Sequence, residues 1–201
     1  MHEIILLTCG HSTITSTGAL SAGATVTLVK GAPNVIVDTG DAWQRDEIVS
    51  ALEQQGVAPA DVEYVVLTHG HLDHVGNNNL FPHATFLLDT DVGRDGEYRI
   101  HDFDDRDYVI DSVLGGDSIR VIPTPGHTNH DVSVIVRTAS GTVAVVGDLF
   151  EHDGDWTDNV WLAWSKDPTT QQASREHVLA LADYIVPGHG NIFRVPSRLE
   201  G

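Results

Sequence analysis

The sequence contains little cysteine and little positive charge. Cys9 is the only cysteine in 201 residues, which excludes an intrachain disulfide bond. Eleven Lys and Arg residues stand against 29 Asp and Glu residues, so the formal net charge is −18. Nucleic-acid-binding proteins usually carry a basic surface, and this balance therefore argues against tight binding of a polyanion.

Long apolar runs are also missing. No stretch approaches the ~20 apolar residues of a transmembrane helix, and the apolar residues 4–7 lack the basic flank of a signal peptide. We therefore expect a cytoplasmic protein without a membrane partner. The 41% hydrophobic content and the lack of a linker predict a single domain over residues 1–201. Cys9 is expected to be a small, buried apolar side chain.

Short β-rich segments separated by Gly, Pro and Asp predict many strands. The expected strands cover residues 3–8, 25–29, 35–37, 64–67, 85–88, 118–122, 132–136, 142–146 and 184–186. The spacing of apolar residues predicts helices over 41–55 and 167–183 and a short helix over 77–81. Because strands come first and helices then alternate with strands, a layered α/β protein with two sheets and outer helices is favoured.

Four potential metal ligands lie within six residues directly after a predicted strand, namely His69, His71, Asp73 and His74. A loop that leaves a strand end can aim these side chains at one point, and Gly70 lets the backbone turn without steric cost. Three imidazoles and a carboxylate suit zinc, and also iron or manganese. This segment therefore predicts a metal site.

Three further candidate ligands follow predicted strand ends, namely His127, Asp148 and His189. Each comes directly after a glycine and shortly after an apolar run. The repetition of this local pattern indicates that several strand ends deliver side chains to the same site.

In this order, the seven residues resemble the ligand pattern of the metallo-β-lactamase superfamily over nearly the whole chain. The resemblance implies an α/β fold, a four-layered αββα sandwich with the metals at one edge between two sheets. The implied ligands are His69, His71 and His127 for the first metal, Asp73, His74 and His189 for the second, and Asp148 as a bridge between them. Asp38, in an early strand and turn that also resemble the family, is implied to be mainly structural.

The resemblance further implies a hydrolase in which a hydroxide between two divalent metal ions attacks an ester, thioester, lactam or phosphodiester bond. Asp73 would be both a metal ligand and the acceptor of the hydroxide proton. Two zinc ions are the expected cofactors, with iron or manganese as alternatives.

Other segments resemble the family of metallo-β-lactamase domain-containing protein 1, which is placed with the glyoxalase II-like hydrolases. These segments are residues 56–59, 76–82, 131–134, 147–151, 186–190 and 193–195. That family is linked to endonucleolytic processing of histone pre-mRNA 3′ ends, so an RNA endonuclease with a nuclear location is one alternative. The charge of −18 favours a small-molecule substrate instead. A mononuclear iron persulfide dioxygenase with a similar ligand set is a further alternative.

The segment after Asp148 contains three of the four tryptophans, Trp156, Trp161 and Trp164. Tryptophan is enriched at protein interfaces, so we expect a homodimer with this loop near the contact. The same loop starts beside a predicted metal ligand and could line the active site. The candidate substrate-binding residues are His130, His152 and Trp156.

Overall fold

The computed structural model describes residues 2–104, 106–110 and 118–195. The described part of the N-terminal half forms β1 (Glu3–Thr8), β2 (His11–Ile14), β3 (Leu20–Gly23), β4 (Val26–Lys30), β5 (Val35–Val37), β6 (Tyr64–Leu67), β7 (Thr85–Leu88), β8 (Asp91–Arg94) and β9 (Glu97–Ile100). The later described residues form β10 (Tyr108–Val109), β11 (Ile119–Pro123), β12 (Val132–Thr138), β13 (Gly141–Val145), β14 (Tyr184–Val186) and β15 (Phe193–Arg194). The two α-helices within these ranges are α1 (Arg45–Gln54) and α2 (Pro168–Leu181).

The described strands form two large sheets and one separate hairpin. The first sheet has the order β1-β4-β5-β6-β7-β8-β9, and its central strands β5, β6 and β7 are parallel. The second sheet has the order β10-β11-β12-β13-β14-β15, with β13 and β14 parallel. Strands β2 and β3 pair only with each other among the described residues. Because parallel neighbours run in the same direction, the loops after β6, β13 and β14 can meet at one edge of the two sheets.

Alternating side chains of the first sheet enter two different cores. Val35 and Val37 of β5 belong to the apolar cluster shared with the second sheet, whereas Ile36 packs with Ile48 and Leu52 of α1. This follows from the period of two in a strand, which sends successive side chains to opposite faces. Helix α1 therefore covers the outer face of the first sheet.

The second sheet shows the same alternation. Val134 and Val136 of β12 face the shared cluster, and Ile135 between them packs with Val178 of α2. The layers are thus helix, sheet, sheet and helix, and the predicted αββα sandwich is confirmed. In the described residues, no helix is long and apolar enough to cross a membrane.

The predicted strands are all present; five have the predicted ends, and the ends of the other four differ by one or two residues. Helix α2 begins one residue later than predicted because Asp167 is its N-cap, and the Asp167 carboxylate accepts hydrogen bonds from the amides of Thr169 and Thr170. The short helix over 77–81 is a 3₁₀ turn at Asn78–Leu80. The sequence reasoning missed β2, β3, β8, β9, β10 and β15, which are short and in most cases largely exposed, so they show little apolar alternation.

Two further expectations differ from the structure. The prediction of a buried Cys9 is wrong, because Cys9 is exposed in the connection between β1 and β2, just beyond the last residue of β1 that pairs with β4. The expected helix over 41–55 begins only at Arg45, since residues 41–44 form a turn in which the Asp41 carboxylate accepts a hydrogen bond from the Trp43 amide.

Candidate metal centre

All seven predicted ligand residues come together where loops leave the sheets. The loop after β6 brings four of them, and the loops after β11, β13 and β14 bring the others, which gives His69, His71, Asp73, His74, His127, Asp148 and His189. Backbone hydrogen bonds join these loops directly: the Val132 amide donates to the Thr68 carbonyl, and the Gly188 amide donates to the Phe150 carbonyl. Pairing between the loops thus fixes the relative position of the side chains.

The first half of the cluster consists of three imidazoles. Nε2 of His69 lies 2.9 Å from Nδ1 of His71, and Nε2 of His127 lies 3.1 Å from the same Nδ1 atom. Oδ2 of Asp148 lies 3.3 Å from Nε2 of His127 and 3.6 Å from Nε2 of His69. These four side chains each offer one ligand atom, all within 4.8 Å of one another.

The second half faces the other oxygen of the same carboxylate. Oδ1 of Asp148 lies 3.2 Å from Nε2 of His74 and 3.3 Å from Nε2 of His189. Oδ2 of Asp73 lies 3.9 Å and 3.8 Å from those two nitrogens. Nε2 of His189 also lies 3.4 Å from Oδ2 of Asp148. Asp148 therefore stands between two groups of ligand atoms, with Oδ1 near the second group and Oδ2 near the first group and His189.

Hydrogen bonds on the outer side aim the imidazoles of the second half inward. Oδ2 of Asp38 lies 2.8 Å from Nδ1 of His74, and the Asp38 carboxylate also accepts hydrogen bonds from the amide and the hydroxyl of Thr68. Nδ1 of His189 lies 3.1 Å from the carbonyl oxygen of Gly23. Carboxylate and carbonyl partners of this kind fix the tautomer and orientation of metal-binding histidines.

Close packing explains why glycine precedes the ligands Asp148 and His189. A Cβ atom at Gly188 would overlap Oδ1 of Asp148, and Gly147 has a φ of 53° with the Thr68 side chain against it. Only glycine accepts this backbone conformation and this close approach at low cost. The Gly-ligand pattern seen in the sequence therefore reflects how tightly the loops pack around Asp148.

Burial and neighbouring charges shift the pKa values in the cluster in opposite directions. Burial lowers the pKa of His69 and His127, so these imidazoles are neutral. Burial also disfavours the charged form of His74, but the carboxylates of Asp148 and Asp38 hold its pKa well above the usual range. The pKa of His189 rises to about 9 because the pull of the Asp148 carboxylate outweighs burial. Without metal, protons on His74 and His189 therefore balance the negative charge of the Asp148 carboxylate.

The donor set suits divalent metal ions. Several buried polar atoms of the cluster have no hydrogen-bond partner among the described residues, namely Nε2 of His74, Nδ1 of His127, Oδ1 of Asp148 and Oε1 of Glu151. Unsatisfied buried polar atoms are costly, and in a native protein they call for a ligand or an ion. Imidazole nitrogens and carboxylate oxygens are the ligands that zinc, iron and manganese accept.

The sequence reasoning assigned no role to Glu151, which the structure places in the cluster. The residue is only 5% exposed. Its Oε1 lies 3.9 Å from Nδ1 of His127, and its Oε2 lies 4.0 Å from Nε2 of His189. Burial, and then the nearby Asp148 carboxylate, raise the pKa of Glu151 to about 8. In the sequence, the signal that could have identified Glu151 was a carboxylate three residues after Asp148. It directly follows Phe150, which is buried in the structure.

The three candidate substrate residues lie outside the groups of converging ligand atoms found among the described residues. His130 is exposed, and its Nδ1 lies 3.2 Å from Oδ1 of Asp89. His152 is next to the loop of His189, and its Nδ1 accepts a hydrogen bond from the Gly154 amide. Trp156 is 45% exposed on the same loop. Contact of these residues with a substrate stays a prediction.

The tryptophan-rich loop is anchored to α2 by a buried arginine. The Arg175 guanidinium lies between the rings of Phe150 and Trp161, at 3.9 Å and 4.6 Å from their centroids, and it donates hydrogen bonds to Asp155. Trp161 is therefore part of the interior, whereas Trp164 stays 43% exposed. The homodimer remains a prediction.

A cavity of about 430 Å³ lies beside the loop that carries His127. Its walls come from residues 89–90, 100–104, 123, 125 and 129–132, and the described lining residues include no Lys or Arg. Ile100, Phe103 and Val132 supply apolar surface, and Asp131 connects the cavity to the His127 loop because its carboxylate accepts hydrogen bonds from the amides of Gly126 and Thr128.

Comparison with known proteins gives matches along most of the chain. The profile of the family described as the metallo-beta-lactamase superfamily matches residues 22–189. A Xenopus laevis protein named metallo-beta-lactamase domain-containing protein 1 is 47% identical over 195 residues, which cover 96% of this chain and 82% of the Xenopus protein. The human protein of the same name is 46% identical over 179 residues, and the match covers 87% of this chain and 65% of the human protein, just under two thirds of its length.

A solved structure shows the same fold. The crystal structure of a quorum-quenching N-acyl homoserine lactone lactonase aligns with a TM-score of 0.64 at 19% sequence identity. The alignment covers 94% of this chain and 91% of the lactonase chain. At this identity the likeness concerns the fold alone.

Proposed function

The chain belongs to the metallo-beta-lactamase superfamily of metal-dependent hydrolases, and on that premise we propose that it is a dinuclear hydrolase of a small, uncharged ester, thioester, lactone or lactam. Zinc is the first choice of metal, with iron and manganese as alternatives. The observation that carries the proposal is the position of Asp148, whose two oxygens each lie within 3.2–3.6 Å of imidazole nitrogens from a different half of the cluster.

The division of ligand atoms supports two metal positions in place of one. His69, His71 and His127 would hold the first ion, and Asp73, His74 and His189 would hold the second. Because a mononuclear dioxygenase can carry a similar ligand set, the number of bound metals per chain distinguishes it from the dinuclear hydrolase. Bound ions would supply Lewis-acid polarisation of the scissile group and would lower the pKa of water from ~15.7 toward ~7.

The chain's own residues supply orientation and a proton acceptor. Asp38 holds His74 through Nδ1, and Asp148 keeps both halves at fixed separation. Asp73 is partly exposed, and its Oδ2 lies near the Nε2 atoms of His74 and His189. Asp73 is therefore the carboxylate placed to accept a proton from the attacking water at Oδ2.

Charge supports the substrate class. The chain carries −18 overall, and the described lining of the cavity beside the His127 loop holds carboxylates but no Lys or Arg. Both the net charge of the chain and the carboxylates of the cavity would repel a phosphodiester backbone. An uncharged acyl group would meet the apolar surface of Ile100, Phe103 and Val132.

The test combines metal analysis with a substrate panel. Protein purified without chelator is analysed for metal content and then assayed with zinc, iron or manganese on chromogenic esters, thioesters, lactones and lactams and on single-stranded RNA. Asp148→Ala serves as the blank. Asp46→Ala, which removes an exposed carboxylate of α1, controls for a general change in net charge.

We expect two metals per chain and metal-dependent hydrolysis of one small-molecule class, with little dependence on ionic strength. Screening weakens repulsion between like charges, so RNA cleavage by this acidic chain would increase with salt. Efficient RNA cleavage without activity on any small substrate would overturn the proposal in favour of an endoribonuclease. One metal per chain, with the second half unliganded, would favour the dioxygenase.

A further inference from the structure

Hydrogen bonds of the Glu151 backbone amide and carbonyl hold this residue in the cluster. Its amide donates a hydrogen bond to Oδ2 of Asp155, and its carbonyl accepts one from the His189 amide. The residue thereby connects the loop of Asp148 to the loop of His189. Only 5% of its surface is exposed, so the carboxylate has little contact with solvent.

This buried carboxylate has no basic side chain to neutralise it. Among the described residues, no Lys or Arg nitrogen lies within 4.0 Å of it, and the ionisable side chains at that distance are the imidazoles of His127 and His189. The nearby Arg175 is engaged with Asp155 instead. Burying an uncompensated carboxylate is costly, which points to a cation that the protein itself does not provide.

From the dinuclear function proposed above, we infer that Glu151 is an additional metal ligand, with Oε2 directed to the second metal position. Its distance to His189 is similar to that of Asp73, which the family resemblance assigns to that position. Oε2 of Glu151 lies 4.0 Å from Nε2 of His189, and Oδ2 of Asp73 lies 3.8 Å from the same atom. Ligand atoms of Asp148, Glu151 and His189 all lie within 4.8 Å of one another.

The charge of the cluster supports the same assignment. Two divalent ions would bring four positive charges into a largely buried site in which Asp73 and Asp148 supply two negative charges. Glu151 supplies a third and reduces the excess charge that burial would penalise. Its other oxygen, Oε1, faces the outer nitrogen of His127 at 3.9 Å, so the same carboxylate also lies beside a ligand of the first position.

The test compares Glu151→Gln with a matched control, Glu53→Gln, which changes an exposed glutamate of α1. Glutamine keeps the size of the side chain and removes its charge. Metal-free protein is titrated with Co²⁺ and with Zn²⁺, and the two binding steps are followed by competition and by the visible absorption spectrum of Co²⁺. We expect Glu151→Gln to keep the first step and to weaken the second by about 10–100-fold or more. Glu53→Gln should behave as the unchanged protein.

Thermal unfolding separates a ligand from a purely structural residue. A ligand role predicts that metal-free Glu151→Gln unfolds at the same or a higher temperature than the unchanged protein and gains less from added metal. A lower unfolding temperature without metal, together with an undiminished gain from metal, would overturn the inference. Two unaltered binding steps in Glu151→Gln would also overturn it and leave the dinuclear function standing. A single binding step in the unchanged protein would overturn both.

Discussion

The metal cluster has two halves that meet at Asp148 but differ in charge. In the first half, burial lowers the pKa of His69 and of His127, whereas His71 is exposed. The second half contains His74, which is fully buried and backed by Asp38. It also contains the carboxylate of Asp73 and, by the inference above, that of Glu151.

The two halves therefore differ in whether their ligands must lose a proton before a metal ion binds. Neutral imidazoles such as His69 and His127 can accept a metal without first losing a proton. A buried, carboxylate-rich half that holds protons in the absence of metal must release them when a cation binds. Nitrogen-rich sets suit zinc, whereas added carboxylates favour harder ions such as manganese. The two halves are therefore expected to differ in affinity, in pH dependence and in metal preference.

The largest expected effect comes from removing what the halves share. Asp148→Ala should release both metals and lower hydrolysis by more than about 100-fold, since even outer-shell partners of metal ligands cost 10–100-fold in affinity or activity. The fold should persist because the apolar clusters between the sheets and under the helices supply most of its stability. Metal analysis, circular dichroism and the substrate assay measure these outcomes. Turnover near that of the unchanged protein at saturating metal would rule out the bridging role.

The next effect distinguishes one half from the other. His127→Ala should lose the metal of the first half and keep that of the second, and His189→Ala should do the reverse, because His127 converges with His69 and His71 whereas His189 converges with Asp73 and His74. Metal content per chain and the Co²⁺ spectrum of each variant are the measurements. If the two variants proved indistinguishable, the division into two halves would fail.

A smaller effect is expected from Asp38, whose carboxylate holds His74 of the second half in place. Asp38→Asn removes the charge that holds Nδ1 of His74 and weakens the hydrogen bonds from Thr68. We expect about 10–100-fold lower affinity at the second position and no change at the first. Co²⁺ titration of Asp38→Asn beside the unchanged protein checks this, and equal weakening of both binding steps would show that Asp38 supports the whole loop and not one half.

The smallest effect is the pH dependence of the metal-free protein. The pKa of His189 is raised to about 9 from an ordinary value of 6.5, so its stabilising contribution is complete below pH 6.5 and is lost as pH rises through 9. The pKa of Glu151 is raised to about 8 from 4.5, so ionisation of its buried carboxyl also destabilises the fold as pH rises through 8. Both changes act in the same direction between pH 6.5 and 8, and the His189 contribution continues to fall up to about pH 9.

Thermal unfolding of metal-free protein across this range should therefore show a steady fall in the unfolding temperature. With metal bound, the protons are already displaced and the carboxylates are neutralised, so the fall should disappear. A metal-free protein whose stability rises from pH 6.5 to 9 would contradict the assignment of protons to the second half.

The sequence by itself determined much of the framework of this protein. Short runs rich in valine and isoleucine, separated by Gly, Pro and Asp, predicted the central strands because β-branched residues favour strands. The order of His69, His71, Asp73, His74, His127, Asp148 and His189 along the chain indicated a metal site because each group follows a strand end. Exposed strands such as β2 left no such apolar pattern, so they could not be found.

The family resemblance implied how the ligand residues divide and that Asp148 joins them, but only the tertiary structure decided the distances between them. Asp148 and His189 are separated by 41 positions along the chain, yet Oδ1 of the first lies 3.3 Å from Nε2 of the second. The parallel pairing of β13 with β14 sets that separation, and no local pattern records it. Glu151 reaches the cluster for the same reason, since its carbonyl accepts a hydrogen bond from the His189 amide across two loops. Sequence spacing fixes which side chains leave a strand end, whereas distances between loops depend on how the sheets pair and pack.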